Sequence, residues 1–121
     1  MGLGVRNSTG YARTSIPEAM ELARAAKSRG MLRRVLWRVQ GGVCGICGYD
    51  MPRIGCHESR EDRPTSDHVV PVARKGPDRL GNIVCAHMRC NEIKSDRMPT
   101  GCELIFLLAV NARLGVQPQG W

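Results

Sequence analysis

A chain of 121 residues, 42% apolar but only 4% aromatic, has room for one compact domain whose core must come from Val, Leu, Ile, Met and Ala. So small a core commonly needs a staple, either a metal or disulfides. The net charge of +7 points to an acidic partner, nucleic acid first, and the longest apolar run, residues 104–110, is too short for a membrane span.

Residues 1–14 read as a flexible arm without the apolar segment of a secretory signal. A cytoplasmic protein is expected, and its six cysteines are then read as metal ligands rather than disulfides. Residues 15–42 form a basic helical segment. Ser15 and Glu18 make a capping box around Pro17, which predicts a helix over 15–28 stopped by Gly30. A second helix is expected over 31–40, with Met31, Leu32, Val35, Leu36 and Val39 on one stripe. Arg33, Arg34 and Arg38 fall off that stripe. They are candidate phosphate contacts, though a solvated face is the plainer role for any one of them. The side chains are rich in Arg, 15 against 3 Lys, and the planar guanidinium fork suits phosphate.

Residues 43–98 form the next unit. A Cys-x-x-Cys knuckle and a polar loop lead to a predicted hairpin, with strands over 67–73 and 82–85 around the turn Arg74-Lys75-Gly76-Pro77-Asp78. A helix over 86–97 follows and is broken at Met98-Pro99. In the last unit, 99–121, Thr100 and Glu103 make a capping box for a helix running to Leu114, before Gly115 and a short tail. Leu104, Leu107, Leu108 and Val110 are its expected core stripe. Cys102 reads as a small buried residue.

Cys44 and Cys47 have metal-ligand spacing, and a second pair must lie downstream. His87 and Cys90 are three apart, so on a helix they share a face, whereas Cys85 and Cys90 diverge by about 140°. Cys85 also lies in a strand-like run, where a buried thiol is ordinary. The spacing favours Cys44, Cys47, His87 and Cys90 as a closed, structural Cys3His zinc site. Cys56 and His57 lie in the polar loop, as weaker candidates.

Between and beyond these ligands stand Asp67-His68-Val69-Val70-Pro71, then Gly81-Asn82-Ile83-Val84, then His87-Met88-Arg89-Cys90-Asn91-Glu92-Ile93-Lys94. Over residues 43–97 the sequence resembles the HNH endonuclease family, of the small, stand-alone, zinc-stapled kind found in phages. The resemblance implies an α+β fold with a ββα-metal (His-Me finger) core, a structural zinc and flanking helices. It implies His68 as general base and Asp67 as a ligand of a catalytic divalent cation. Asn91, where the motif often has His, becomes the second ligand, and Asn82 holds the loop that orients the base. Oxygen ligands suit Mg²⁺ or Mn²⁺. The implied reaction is hydrolysis of DNA to 5′-phosphate and 3′-hydroxyl ends. Lys94, one turn after Asn91, is a candidate phosphate contact, as are Arg74 and Lys75 in the turn.

Each residue also has a plain role: His68 as a structural histidine, Asp67 as a cap, Asn82 as turn chemistry. Their joint order overturns those roles. A zinc-knuckle module that binds DNA without catalysis would need the zinc ligands and the basic surface, but not Asp67, His68 and Asn91 together. A protein adaptor on the same knuckle fits the charge less well. One such site cuts one strand, so a double-strand break calls for a dimer or two events. A homodimer, or a phage packaging or other DNA-processing partner, is the expected associate besides DNA.

Overall fold

The computed structural model describes residues 16–117, and side chains from Glu21 onward. The expected arm, the Ser15 cap with its Glu18 box, and the tail lie outside those described parts. The elements in chain order are α1 (Ile16–Ala25), α2 (Arg29–Val39), β1 (Pro64–His68), β2 (Ile83–His87), α3 (Met88–Lys94) and α4 (Gly101–Leu114). Short 3-10 turns lie at Arg60–Asp62 and Val72–Arg74. This is an α+β arrangement: a two-stranded antiparallel hairpin carries α3 at its end, with the longer helices packed around it.

The first two helices are divided elsewhere than Gly30. Ser28 is the N-cap of α2, its hydroxyl accepting from Met31 N at 3.2 Å, and Gly30 lies inside the first turn. A hydroxyl that can satisfy an orphan N–H starts a helix more strongly than a glycine stops one. After α2, Gly41 and Gly42 both adopt positive φ, 68° and 72°, and reverse the chain into the knuckle. Gly45 then lies so close to β2 that an added Cβ would meet Val84 Cγ2 at 2.7 Å, and its N–H bonds Cys85 O at 2.9 Å.

The hairpin is displaced from its expected place. The first strand is the polar run Pro64–His68, not the apolar run from residue 67 to 73, and it pairs Thr65 with Ala86, Asp67 with Val84 and His68 with Ile83. Beyond His68 the ladder is taken over by one residue, Asn82. Its carbonyl accepts Val69 N at 2.8 Å and its side chain accepts Val70 N at 2.9 Å. Val69 and Val70 therefore fill the core outside any strand. β2 is buried at every position. Its Cys85 also bonds the Gln40 amide, N–H to Oε1 at 2.6 Å and Nε2 to carbonyl at 2.8 Å, so a glutamine stands in for a third strand.

α3 spans only Met88–Lys94, so His87 ends the strand rather than opening a long helix. The expected capping box on α4 is present, with Thr100 and Glu103 bonded reciprocally and Gly115 left-handed at the C-cap. The core joins Leu36 and Val39 of α2, all of β2 but His87, and Leu107, Val110 and Leu114 of α4. Leu108, placed on the core stripe by sequence, is exposed, and Asn111 is buried instead, donating to Gly81 O at 3.0 Å. Among the described residues no helix is long and apolar enough to cross a membrane.

Gly76 closes the turn after Pro71, and a Cβ there would fall 1.8 Å from Val70 O. Gly76→Ala must therefore displace backbone, and it is expected to cost about 2 kcal/mol or more. A thermal melt against wild type measures this; an unchanged Tm would show that the turn yields freely.

Candidate active site

Two polar centres flank α3. In the first, Cys44 and Cys47 of the knuckle meet His87 from the end of β2 and Cys90 from the first turn of α3. The four ligand atoms lie within 4.8 Å of one another. His87 Nδ1 is 3.4 Å from Cys47 Sγ and 3.8 Å from Cys90 Sγ. Its other nitrogen lies 3.1 Å from Asp50 O. A carbonyl only accepts, so Nε2 carries the proton and Nδ1 turns its lone pair to the sulfurs. An outer partner commonly orients a metal-binding histidine in this way.

Cys44 Sγ accepts three backbone N–H groups, from Ile46, Cys47 and His87, at 3.4–3.5 Å. Burial pushes the Cys90 thiol up to about 12, with Cys44 and Cys47 adding to the rise. Three thiolates so close need a cation, and the donor set fits tetrahedral zinc. The four residues chosen by spacing are thus together. His87 and Cys90 do not share a helix face, because His87 stands at the strand–helix junction and only Cys90 is on the helix. Cys85 points into the core, and burial pushes its thiol up to about 12. Cys56 and His57 are exposed and outside the cluster. Cys102 is exposed too, at the start of α4, against the expectation of burial.

The second centre lies at the seam of α3 and β1. Asp67 is 4% exposed and Lys94 only 1%. Lys94 Nζ donates to Asp67 Oδ1 at 3.2 Å and to His68 O at 3.0 Å. This corrects the expectation for Lys94: a buried ammonium committed to Asp67 is not a phosphate contact. Burial pushes the Asp67 carboxyl above the usual carboxylate range, while the charge of Lys94 pulls it back. Asp67 Oδ2 is enclosed and has no hydrogen-bond partner among the described residues. Buried polar atoms are rarely left so, and an unpartnered hard oxygen fits a divalent cation. Asn91 donates Nδ2 to Thr65 Oγ1 at 3.2 Å and to Ser66 O at 3.0 Å, which leaves Oδ1 as its atom for a cation.

Thr65 and Asp67 share the strand face that meets α3. His68, one residue on, turns the other way, as strand geometry requires. Its ring, 22% exposed, places Nε2 2.8 Å from Asp78 Oδ1. Asp67 and His68 are therefore linked through Lys94, which holds the carboxylate of one and the carbonyl of the other. Asn82 is wholly buried. Besides Val70 N it bonds Val70 O and Pro77 O through Nδ2, both at 2.9 Å, tying the two ends of the loop that leaves His68.

Asp78, Gln40 and Arg29 were not singled out from sequence. Asp78 read only as a turn residue, and no spacing rule joins it to His68. Of the other cations, Arg34, Arg38, Arg74 and Lys75 are exposed. Arg33 is half-buried with its Nε enclosed, and Arg74 spends its Nε on Asp96 O at 2.7 Å.

The model of the HNH endonuclease family matches residues 44–97, which span both centres. No curated protein matches the chain. Among solved structures, the Type IV phosphorothioation-dependent restriction endonuclease ScoMcrA is similar over 87% of this chain, at 14% identity and a TM-score of 0.44. The chain spans 24% of that protein's length.

Lys94→Met leaves Asp67 buried without its counter-ion. A loss of about 3–5 kcal/mol is expected, read as a lower Tm; a surface phosphate contact would instead lower DNA affinity at unchanged Tm. For the thiol cluster, metal analysis of the purified protein should find one equivalent of zinc. A strong chelator should remove it and with it the cooperative melt, because structural zinc contributes on the order of 10 kcal/mol to folding.

Proposed function

We propose that this chain is a metal-dependent DNA endonuclease that hydrolyses phosphodiester bonds to 5′-phosphate and 3′-hydroxyl ends. The observation that carries the proposal is the enclosed, unpartnered oxygen of Asp67. Asp67 bonds Lys94, and Asn91, one turn earlier on α3, bonds the adjacent Ser66, in a strand–strand–helix unit whose sequence matches the HNH endonucleases. Asp67 and Asn91 would hold the catalytic Mg²⁺ or Mn²⁺. Cys44, Cys47, His87 and Cys90 would hold a structural zinc.

His68 acts as general base. A ring nitrogen takes a proton from water, the water oxygen bonds to phosphorus, and the bond from phosphorus to the 3′ oxygen breaks. The leaving oxygen gains a proton from solvent. A neutral imidazole can do this near physiological pH. When bound, the divalent cation offsets the phosphate charge and stabilises the leaving oxygen. Asn82 touches no reacting atom; by closing the loop after His68 it fixes where the base stands. Lys94 holds Asp67 and the backbone of His68 at one spacing.

The net charge and the exposed Arg34, Arg38, Arg74 and Lys75 supply backbone contacts, which position DNA without reading its sequence. Cleavage is accordingly weakly specific or directed by a partner, and one site nicks one strand. A double-strand break requires a second copy or a second event. A cytoplasmic location belongs to this reading, because cysteines that serve as metal ligands suit a reducing compartment.

Zinc-loaded protein incubated with supercoiled plasmid is expected to nick it with added Mg²⁺ or Mn²⁺ and not with EDTA. His68→Ala, still holding zinc, is expected to lose at least about 100-fold in rate. If wild type and variant are both inert across metals yet still retard DNA on a gel, the chain is a zinc-knuckle DNA-binding module without catalysis.

A further inference from the structure

Asp78 lies in the loop between the strands, ten residues beyond His68, and accepts two partners. His68 Nε2 is 2.8 Å from its Oδ1, and Arg29 from the first turn of α2 places one guanidinium nitrogen 2.6 Å from both of its oxygens. The hydrogen bonds from His68 and then Arg29 hold the Asp78 carboxyl below the usual carboxylate range. It is therefore a carboxylate at neutral pH, and a carboxylate can only accept. The shared proton must sit on His68 Nε2. In a neutral imidazole this leaves the lone pair on Nδ1.

We propose that Asp78 is the positioning residue of His68, fixing the ring with Nε2–H toward Asp78 and Nδ1 as the basic atom, with Arg29 holding the carboxylate from the other side. The inference rests on the nuclease reading only for its consequence in rate; the pairing itself stands on geometry. A base oriented by an acceptor behind it is how hydrolases hold a histidine in one tautomer. Here the acceptor is a residue of the loop between the strands, distinct from Asp67, Asn82 and Asn91. The tie also makes α2 a support of the site, since Arg29 reaches the loop across the face of the hairpin. Both Asp78 and Arg29 are more than half exposed, so solvent weakens the tie and a moderate effect is expected.

The test uses zinc-loaded full-length protein with ¹⁵N-labelled histidine, observed well above the ordinary imidazole range of ~6.5. Ring-nitrogen shifts report which nitrogen carries the proton, and exposed His57 serves as the internal reference for an unheld ring. In wild type, His68 is expected wholly in the Nε2–H form. In Asp78→Ala it is expected to relax toward the mixture shown by His57, while the Tm stays within a few degrees. Plasmid nicking by Asp78→Ala is expected to fall about 10-fold in kcat with KM nearly unchanged. Arg29→Met, which leaves the carboxylate in place, is expected to keep the Nε2–H form and to lose less than about 3-fold in kcat.

An unchanged His68 tautomer in Asp78→Ala would overturn the proposal. So would equal kcat losses in Asp78→Ala and Arg29→Met with the tautomer intact, which would make Asp78 a mere tether for α2. If wild type fails to nick with any metal but the tautomer still depends on Asp78, the pairing holds and the nuclease reading alone falls.

Discussion

Three thiols and an imidazole lie within 4.8 Å of one another, a donor set that a shared cation could bind and hold together. Burial and the neighbouring Cys44 and Cys47 push the Cys90 thiol up, so a bound cation would be what favours its thiolate form. Metallated, the same four atoms join the knuckle to the β2–α3 junction. Gly45 then lies against Val84 and Cys85, and α2 is drawn against the far edge of β2 through Gln40. A core with little aromatic bulk has few other means of fixing where its elements cross, so the cluster supplies placement as much as energy.

A second frame is made of polar side chains that imitate backbone. Gln40 pairs with Cys85 as a neighbouring strand would. Asn82 pairs with Val70 where the ladder would otherwise continue, and ties in Pro77 as well. Each is buried with its amide satisfied by main chain, the condition under which a buried amide is tolerated. Their common effect is to end regular structure at chosen points. β1 stops at His68 because Asn82 takes the next hydrogen bonds, and so the residue bearing the proposed base stands at a strand end, free to turn toward the loop.

These features differ in how far the sequence reveals them. The Cys3His cluster was legible because metal chemistry imposes short, fixed spacings on few residue types. The last helix was legible because a capping box and a terminal glycine are local signals. The hairpin was misplaced because local preference and tertiary role disagree: Pro64–His68 is a poor strand by composition, yet the register with β2 makes it one, and the β-branched Val69-Val70 is diverted into the core by Asn82. The Ser28 cap was overlooked because Gly30 offered a competing stop signal two residues on. Lys94 was misassigned because a lysine near an anion site reads as a phosphate contact until its burial is known. Asp78 and Gln40 act across long sequence separations through single side chains, and no period or spacing encodes such a contact.

The helix α3 shows how closely the two centres depend on each other. Seven residues are too few for a helix to persist in water by its own hydrogen bonds. It is held by Cys90 in the thiol cluster, by Asn91 on the backbone of β1 and by Lys94 on Asp67, three side chains distributed around and along it. The groups that would serve the catalytic cation are thus also the helix's anchors, and the partially unpaired Asp67 is held in place by a lysine whose own burial depends on it. A change at Asn91 or Lys94 must alter stability together with any chemistry. His68 is different: its ring meets Asp78 of the loop, while its backbone carbonyl accepts from Lys94 of the helix. The ring of the proposed base can therefore be tuned from the loop side, through Asp78, without removing any of the side chains that anchor α3.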